Sequence, residues 1–582
     1  MRNLYKLRKY FTRYKKKLLF GFLFIILSNI GTVYVPILLK DSIDALNNNI
    51  SKELLLQYAL MIVGASLFAG FFRFMIRQTI IVVSREIEYD LRRDFWEHIQ
   101  RLSLRYFQNT STGNIMAHAT NDINAVRMFL GPSVMYSIDT TVRLALVLSI
   151  MFSLNMSLSL YVLLPLPLLS ILVYKVGNVI HDKFTIIQEK YSDLTTMVQE
   201  SFSGIRVIKS YVREQNEMDR YAEHSQDYLK KKMNLVRTQA LIMPLLILIT
   251  GISIIIVIWI GGVKIMNNEL TLGEITAFIV YLGILIWPMI AFGWVLNIIQ
   301  QAEASMKRLN KILNEPYEID DSDLTDHSIK DLEGEVEFRN VSFRYADNLP
   351  NILDRINLSI PRGSTLAIMG YTGSGKTSLI NLVPRLYDCT EGEILFDGKN
   401  IKSIPLNVIR TNIGLVQQES FLFSDKVINN MSYGLQKIDE EWLHKVSKIA
   451  QFDDDVKEFP EQYETIIGER GITFSGGQKQ RASLARALAI NPKILILDDS
   501  FSAVDTHTEE EILTNLKEFM HGRTSIIISH RISTVKDADK IIVIDKGKIA
   551  EEGVHEELIA LGGIYADLHY KQLLERELEE LN

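Results

Sequence analysis

Long apolar stretches alternate with charged stretches of helical spacing from the amino terminus onward, and the pattern changes abruptly near residue 314. Six stretches reach the roughly 20 apolar residues that a helix needs to cross a bilayer. They are 18–39, 55–83, 134–154, 158–176, 240–263 and 275–295. Only Asn155-Met156-Ser157 separates the third from the fourth, which predicts a tight helical hairpin. Two connections, 84–132 and 177–239, are rich in charge yet keep the 3.6-residue repeat. They predict helices that leave the membrane, run far beyond it and turn back.

After residue 314 the pattern is that of a soluble protein. Residues 314–326 are acidic, poor in large apolar side chains and carry Pro316 near their start. Residues 336–345 alternate apolar and polar like a strand. A second apolar run, 364–369, leads into Gly370-Tyr371-Thr372-Gly373-Ser374-Gly375-Lys376-Thr377, after which helical spacing begins. The expected organisation is a membrane domain over 1–313, a linker over 314–330 and a nucleotide-binding domain over 331–582.

The length of 582 residues requires more than one domain. The net charge of −6 is mild for that length, and no nucleic-acid partner is expected. A lone cysteine, Cys389, excludes an internal disulfide framework and takes no role of its own. No small-residue cleavage site follows the first apolar run, so it is expected to remain as a span. Basic residues set the orientation. Arg2, Lys6, Arg8, Lys9, Arg13, Lys15, Lys16 and Lys17 precede the first span without an acid among them, and Arg85, Arg92, Arg93, Arg101 and Arg105 lie in the first long connection. The amino terminus and both long connections are therefore expected in the cytosol. An even number of spans returns the chain to that side. Arg73, Arg77, Asp139 and Arg143 fall within spans. Asp139 and Arg143 share one helix face at i, i+4 spacing, either as the wall of a polar cavity or as an ion pair that serves packing.

The run from Gly370 to Thr377 is a complete GxxxxGK[ST] phosphate loop between a strand and a helix. Backbone N–H groups in such a loop cradle phosphate oxygens, and the helix start adds positive potential. Gly373 and Gly375 allow close backbone approach, Lys376 reaches the β- and γ-phosphates, and Thr377 offers a hydroxyl to Mg²⁺. The apolar run Ile494-Leu495-Ile496-Leu497 delivers Asp498 where a Mg²⁺ partner is needed. ATP and Mg²⁺ are the expected cofactors.

Further runs complete a pattern. Phe474-Ser475-Gly476-Gly477-Gln478, Thr465-Ile466-Ile467-Gly468-Glu469-Arg470-Gly471, Ser502-Ala503-Val504-Asp505, Gln418, His530 and Tyr345 stand in a fixed order around the phosphate loop. Over nearly its full length the chain resembles the ATP-binding cassette exporters. The resemblance implies an all-α six-helix transmembrane domain with long cytosolic extensions, then an α/β P-loop domain with antiparallel β and helical subdomains. It implies that Tyr345 stacks on adenine and that Gly370, Thr372, Gly373, Ser374, Gly375, Lys376, Thr377 and Ser378 hold the phosphates. Ser475, Gly476, Gly477 and Gln478 form the family's signature, which would bind the γ-phosphate held by another subunit. Thr377, Gln418 and Asp498 would ligate the metal; Asp499, His530 and Gln418 would act in hydrolysis. The segments from Thr112-Gly113 to Asn121-Asp122 and from Ser203 to Lys209 resemble the family's two cytosolic coupling segments.

One residue departs from the family pattern. Asp499 stands where the family usually has glutamate, one methylene longer. The shorter side chain holds the attacking water further from the γ-phosphate, and about 1 Å of misplacement can cost on the order of a hundredfold. With the signature intact, this resembles the weak-site half of a heterodimeric exporter, whose partner is a different half-transporter carrying the glutamate. The alternatives are a homodimer that hydrolyses slowly with Asp499, and a nucleotide-gated channel or regulator. Separate-chain importers fit less well, because the two domains are fused here. A hydrophobic or amphipathic cargo such as a drug or lipid suits the spans, in a cytoplasmic membrane whose lipids are a further partner.

Overall fold

The computed structural model describes residues 3–47, 51–468 and 474–580; nothing is described of the side chains of 166–170, 172–174 and 575–580. The chain divides into two compact units, 1–97 with 113–314 and 98–112 with 315–582.

The first unit is built of long helices. Five of them are long and apolar enough to cross a bilayer among the described residues: Lys15–Asn47, Lys52–Gln100, Thr112–Leu154, Glu214–Met266 and Leu272–Leu313. The expected stretch 158–176 is also helical, split between Met156–Leu163 and Pro165–Ser203. The 39-residue helix Pro165–Ser203 reaches about 58 Å, twice the hydrocarbon thickness, as the second charged connection predicts, and the 42-residue helix Leu272–Leu313, at about 63 Å, runs well past the expected last span 275–295. The hairpin turn is tighter than expected. Asn155 alone breaks the helix, and its side chain accepts a hydrogen bond from the Leu158 N–H at 2.9 Å. Thr271 and Glu274 cap the last long helix reciprocally. Gly31 lets the first two helices meet, since a Cβ there would lie 3.0 Å from Phe68 and 3.1 Å from Ala69.

The polar residues within the spans form a network. The Arg143 Nε donates to Asn29 Oδ1 at 2.9 Å and its Nη2 to Asp139 Oδ2 at 2.9 Å, while Asn29 Nδ2 donates to Asp139 Oδ1 at 2.8 Å. Asn29 is fully buried, so the Asp139–Arg143 pair ties the first apolar helix to the third. The pair also borders a cavity of 330 Å³ with Arg73, Arg77, Tyr136 and Trp287. Both readings of the pair are therefore present in one place.

Among its described residues the second unit carries ten strands: β1 Val336–Phe343, β2 Leu353–Ile360, β3 Thr365–Met369, β4 Glu391–Phe396, β5 Lys399–Asn400, β6 Ile413–Val416, β7 Ile494–Asp498, β8 Thr524–Ile528, β9 Lys540–Asp545 and β10 Lys548–Gly553. An antiparallel sheet has the order β2-β1-β4-β5, and a six-stranded sheet the order β10-β9-β3-β8-β7-β6. Within the latter, β9, β3, β8, β7 and β6 run parallel. The alternation read over 336–345 changes parity inside β1. Val336 and Phe338 point inward, then Val341 and Phe343, because a bulge at Asn340, in the left-handed region with φ of 48°, inserts one residue. Between β6 and β7 a helical portion packs Val427, Leu443, Val446, Phe452 and Leu484 into an apolar core that it shares with Val416, Leu495, Leu497 and Ile527 of the sheet.

Candidate functional site

In a parallel sheet, ligand groups gather beyond the carboxyl ends of the strands. The phosphate loop leaves β3 there, Asp498 ends β7 with Asp499 next to it, and His530 follows β8. Register ties them together: Ile368 pairs with Ile528, Ile528 with Asp498, and Val416 with Leu497. Gln418 follows the end of β6 by two residues and is exposed.

Local backbone chemistry shapes the loop. Gly370, Gly373 and Gly375 all have positive φ, of 141°, 80° and 107°. A Cβ on Gly370 would lie 2.2 Å from the Ile544 carbonyl oxygen, so only glycine fits between the loop and β9. Lys376 opens the helix Lys376–Leu382 and is 7% exposed. Its ammonium donates to the carbonyls of Gly370 at 2.8 Å and Tyr371 at 3.0 Å, which holds it across the loop. Burial draws the Lys376 pKa down, while the charges of Asp498 and Asp499 oppose that shift.

The Thr377 hydroxyl donates to Asp498 Oδ2 at 3.0 Å. Burial pushes the Asp498 carboxyl up, opposed by that hydrogen bond, raised further by Asp499 and opposed again by Lys376. Hydroxyl and carboxylate offer oxygen ligands, as the side-chain amide of Gln418 also can, the chemistry that suits a hard cation such as Mg²⁺. Asp499 has φ of 46°, a left-handed conformation that aspartate tolerates better than longer side chains. Its N–H donates to the Ile528 carbonyl at 2.9 Å. Burial lowers the His530 imidazole pKa, Lys376 lowers it further, and Asp499 opposes both. Lys376, Asp498, Asp499 and His530 thus share one electrostatic neighbourhood.

Tyr345 lies two residues beyond β1. Its hydroxyl is 2.9 Å from Ser378 Oγ, and its ring meets Phe343 and Tyr387 edge-on at 4.9 and 5.4 Å. Ser374, within the loop, and Ser378, in the first turn of the helix after it, are both buried. The ring of Tyr345 is thereby held beside the phosphate loop rather than free on a strand face.

Ser475 caps the helix Gly476–Ala489: the Gln478 N–H donates to Ser475 Oγ at 3.2 Å, and the Ser475 N–H to Gln478 Oε1 at 3.0 Å. The hydroxyl hydrogen and the Gly476 and Gly477 N–H groups remain outside the helix ladder. These glycines have a second reason. A Cβ on Gly476 would lie 3.1 Å from Ala503 Cβ, and one on Gly477 2.9 Å from the Ala503 carbonyl oxygen. The signature therefore packs directly on the 502–505 loop. Of the segment 465–471, residues 469–471 lie outside the described residues; Thr465 and Ile467 pair with Val427 and Asp425 through backbone hydrogen bonds of 3.0 and 2.9 Å.

Two glutamines escaped the sequence reading. Gln480, 5% exposed, donates to Ser502 Oγ at 3.0 Å and accepts from the Ala503 N–H at 3.0 Å, clamping that loop to the signature helix. Its signal was legible as a polar residue on the buried face of an amphipathic helix. Gln572, far along the chain, contacts the loop of His530.

Comparison with known proteins agrees with this geometry. Residues 18–289 match the family profile described as ABC transporter transmembrane region, and residues 353–502 the profile described as ABC transporter. A Bacillus subtilis protein named probable multidrug resistance ABC transporter ATP-binding/permease protein YheI is 39% identical over 83% of this chain and 83% of its own length. The ATP-dependent lipid A-core flippase of Syntrophus aciditrophicus is 34% identical over 94% of this chain and 91% of its own. A solved structure, a bacterial Atm1-family ABC exporter with ATP bound, superimposes with a TM-score of 0.79 at 26% identity, covering 96% of this chain and 98% of that one. The fused membrane and nucleotide domains, the multiple apolar helices and these relatives place the protein in the cytoplasmic membrane with its nucleotide-binding domain in the cytosol. The chain belongs to the ATP-binding cassette exporters, transporters that bind and hydrolyse ATP to drive export.

Proposed function

We propose that this chain is one half of an exporter that moves a hydrophobic or amphipathic compound, a drug or a lipid, out of the cytosolic leaflet, and that its partner is a different half-transporter. The observation that carries the pairing is simple. The chain holds one phosphate loop and one signature end, so a complete site needs a second subunit, and Asp499 in place of the family's usual glutamate, beside an intact signature, favours a partner that is not a second copy. Relatives named for multidrug resistance and for lipid A-core flipping support the cargo class. So does the cavity among the spans, where the rings of Tyr136 and Trp287 and the cationic heads of Arg73 and Arg77 border the same space. At the tip of the second long connection, Phe202, Val207, Tyr211 and Val212 are 73%, 61%, 75% and 82% exposed, an apolar surface that a partner subunit would cover.

The residues divide the work. Lys376 and the loop amides neutralise and orient the β- and γ-phosphates. Thr377, Asp498 and Gln418 would hold Mg²⁺, which supplies further neutralisation of the phosphate oxygens. Asp499 accepts a hydrogen bond from the attacking water, and His530 donates toward the γ-phosphate. Ser475, Gly476 and Gly477 offer hydroxyl and amide donors to the γ-phosphate on the partner's loop. Tyr345 stacks on the base. Replacing it with alanine raises the ATP concentration needed for half-maximal turnover by about 2- to 10-fold with little change in kcat, because stacking is equal in ground and transition states. Steady-state ATPase kinetics of Tyr345→Ala beside Tyr345→Phe check this. A large fall in kcat at saturating ATP contradicts the assignment.

Asp499→Glu tests the pairing. The added methylene moves the carboxylate toward the water, and the left-handed backbone at 499 costs the glutamate about 1 kcal/mol of folding stability without touching the phosphates. In a homodimer every site has this chain's intact signature, so turnover rises about tenfold or more. In the heterodimer the gain is small, since the partner's signature is the degenerate one. Turnover of the purified chain, alone and with its partner, separates the two, and a large gain in the chain alone overturns the heterodimer.

A further inference from the structure

The helix Ile564–Glu580 closes the chain beyond β10, remote in sequence from every motif of the nucleotide site. Its start is pinned. The Glu551 carboxylate accepts from the N–H groups of Ile564 and Tyr565, the latter at 3.0 Å. Tyr565 is fully buried against Ala367 and Met369 of β3 and Val543 of β9, with Leu568 packed alongside. Tyr565, Leu568 and Gln572 are spaced i, i+3, i+7, so one helix face that is seated on the sheet also presents Gln572.

Gln572 meets the loop of His530 at two points. Its Oε1 accepts from the Ile532 N–H at 2.9 Å, and its Nε2 donates to the His530 carbonyl. A primary amide that spans a loop in this way fixes both the carbonyl of the histidine and the first N–H of the short helix Ile532–Val535. On its other side the loop is held by Arg531, whose guanidinium pairs with the buried carboxylate of Glu509, while Thr534 donates to the same carboxylate at 2.7 Å. The segment that follows His530 is thus held both by Glu509 and by Gln572, and among the described residues the hydrogen bond to His530 itself comes from Gln572. The same helix reaches the phosphate loop one turn earlier: the Tyr371 hydroxyl donates to Asp567 at 3.4 Å, and Lys571 pairs with Asp567 at 2.7 Å.

We propose that Gln572 is a positioning residue for hydrolysis: from the carboxy-terminal helix it sets where the His530 imidazole stands relative to the phosphate loop. The proposal rests on the assignment of His530 under Proposed function. Gln572 touches no reacting atom; it acts through His530. Losing both hydrogen bonds frees the histidine backbone to shift by a fraction of an ångström, at a site where misplacement is costly in rate and not in nucleotide binding.

The test uses the purified full chain alone, reconstituted in lipid, where every site is built on its own phosphate loop and His530, with His530→Ala as the yardstick. Gln572→Met keeps the volume and the apolar stem but deletes both hydrogen bonds, so packing and positioning separate. The expected result is that Gln572→Met and Gln572→Ala lower kcat alike, by about tenfold where His530→Ala is crippling, with KM for ATP within twofold and the melting temperature unchanged. The double variant Gln572→Met/His530→Ala should be no slower than His530→Ala alone, because the brace has nothing left to position. Deuterium exchange of the peptide covering 530–535 should speed up in both Gln572 variants. Three outcomes overturn the proposal: wild-type turnover in Gln572→Met beside a crippled His530→Ala, full additivity in the double variant, or a loss of kcat matched by a fall in melting temperature. A harmless His530→Ala instead overturns the role given to His530, and the brace falls with it.

Discussion

Lys376→Ala lowers the affinity of this chain's own site for Mg·ATP by about a hundredfold while the fold survives. The lysine is buried against the loop, and its ammonium lies within hydrogen-bond reach of two loop carbonyls. In the nucleotide complex those donors turn to phosphate oxygens, where charge-assisted bonds contribute about 1.5–3 kcal/mol each. Alanine removes them and leaves a loop whose N–H cradle has lost its counter-charge. The sheet beneath is untouched, since Leu366 and Ile368 of β3 pack in the apolar core without the lysine side chain. Nucleotide photolabelling of the purified variant and its melting temperature give the answer together. In a heterodimer some hydrolysis persists at the other site. Wild-type nucleotide affinity in the variant would falsify the assignment of the loop.

Gly476→Asp is expected to reduce turnover of the assembled transporter by on the order of a hundredfold or more. Two effects add. The new Cβ stands 3.1 Å from Ala503 Cβ and pushes the 502–505 loop, and the carboxylate places a negative charge where the γ-phosphate of the partner's nucleotide is to bind. The helix itself does not suffer, because an acid in its first turn is favoured by the dipole. The loss is therefore catalytic, and circular dichroism melting should be close to wild type. Ser475→Ala costs less: about 1 kcal/mol of capping plus one phosphate contact. On the heterodimer reading both are more harmful than Asp499→Asn, which disables a site already weak. If Asp499→Asn proves the more damaging change, the competent site is this chain's own and the homodimer reading gains.

What the linear pattern determined is what has a short range. Apolar stretches of bilayer length mark the spans, because a helix of that length satisfies its backbone hydrogen bonds within itself, away from water. Eight residues, Gly370–Thr377, hold their own cradle, because the glycines, the lysine and the helix start all act within one turn of chain. The order of the motifs along the chain made the family legible for the same reason. Parity in β1 could not be read this way: alternation continued past Asn340 on paper, while a bulge there reversed the face. Nor could the second duty of Gly476 and Gly477, which depends on where a loop 26 residues away comes to rest (477 to 503). The left-handed turn at Asp499, the Asn29 bridge to Asp139 and Arg143, Gln480 against Ser502 and Gln572 against His530 all join residues that only packing brings together. A side chain's type states what it can bond. Which partner it meets, across 42 residues in the case of Gln572 and His530, is decided by the sheet and helices that carry both to the same edge.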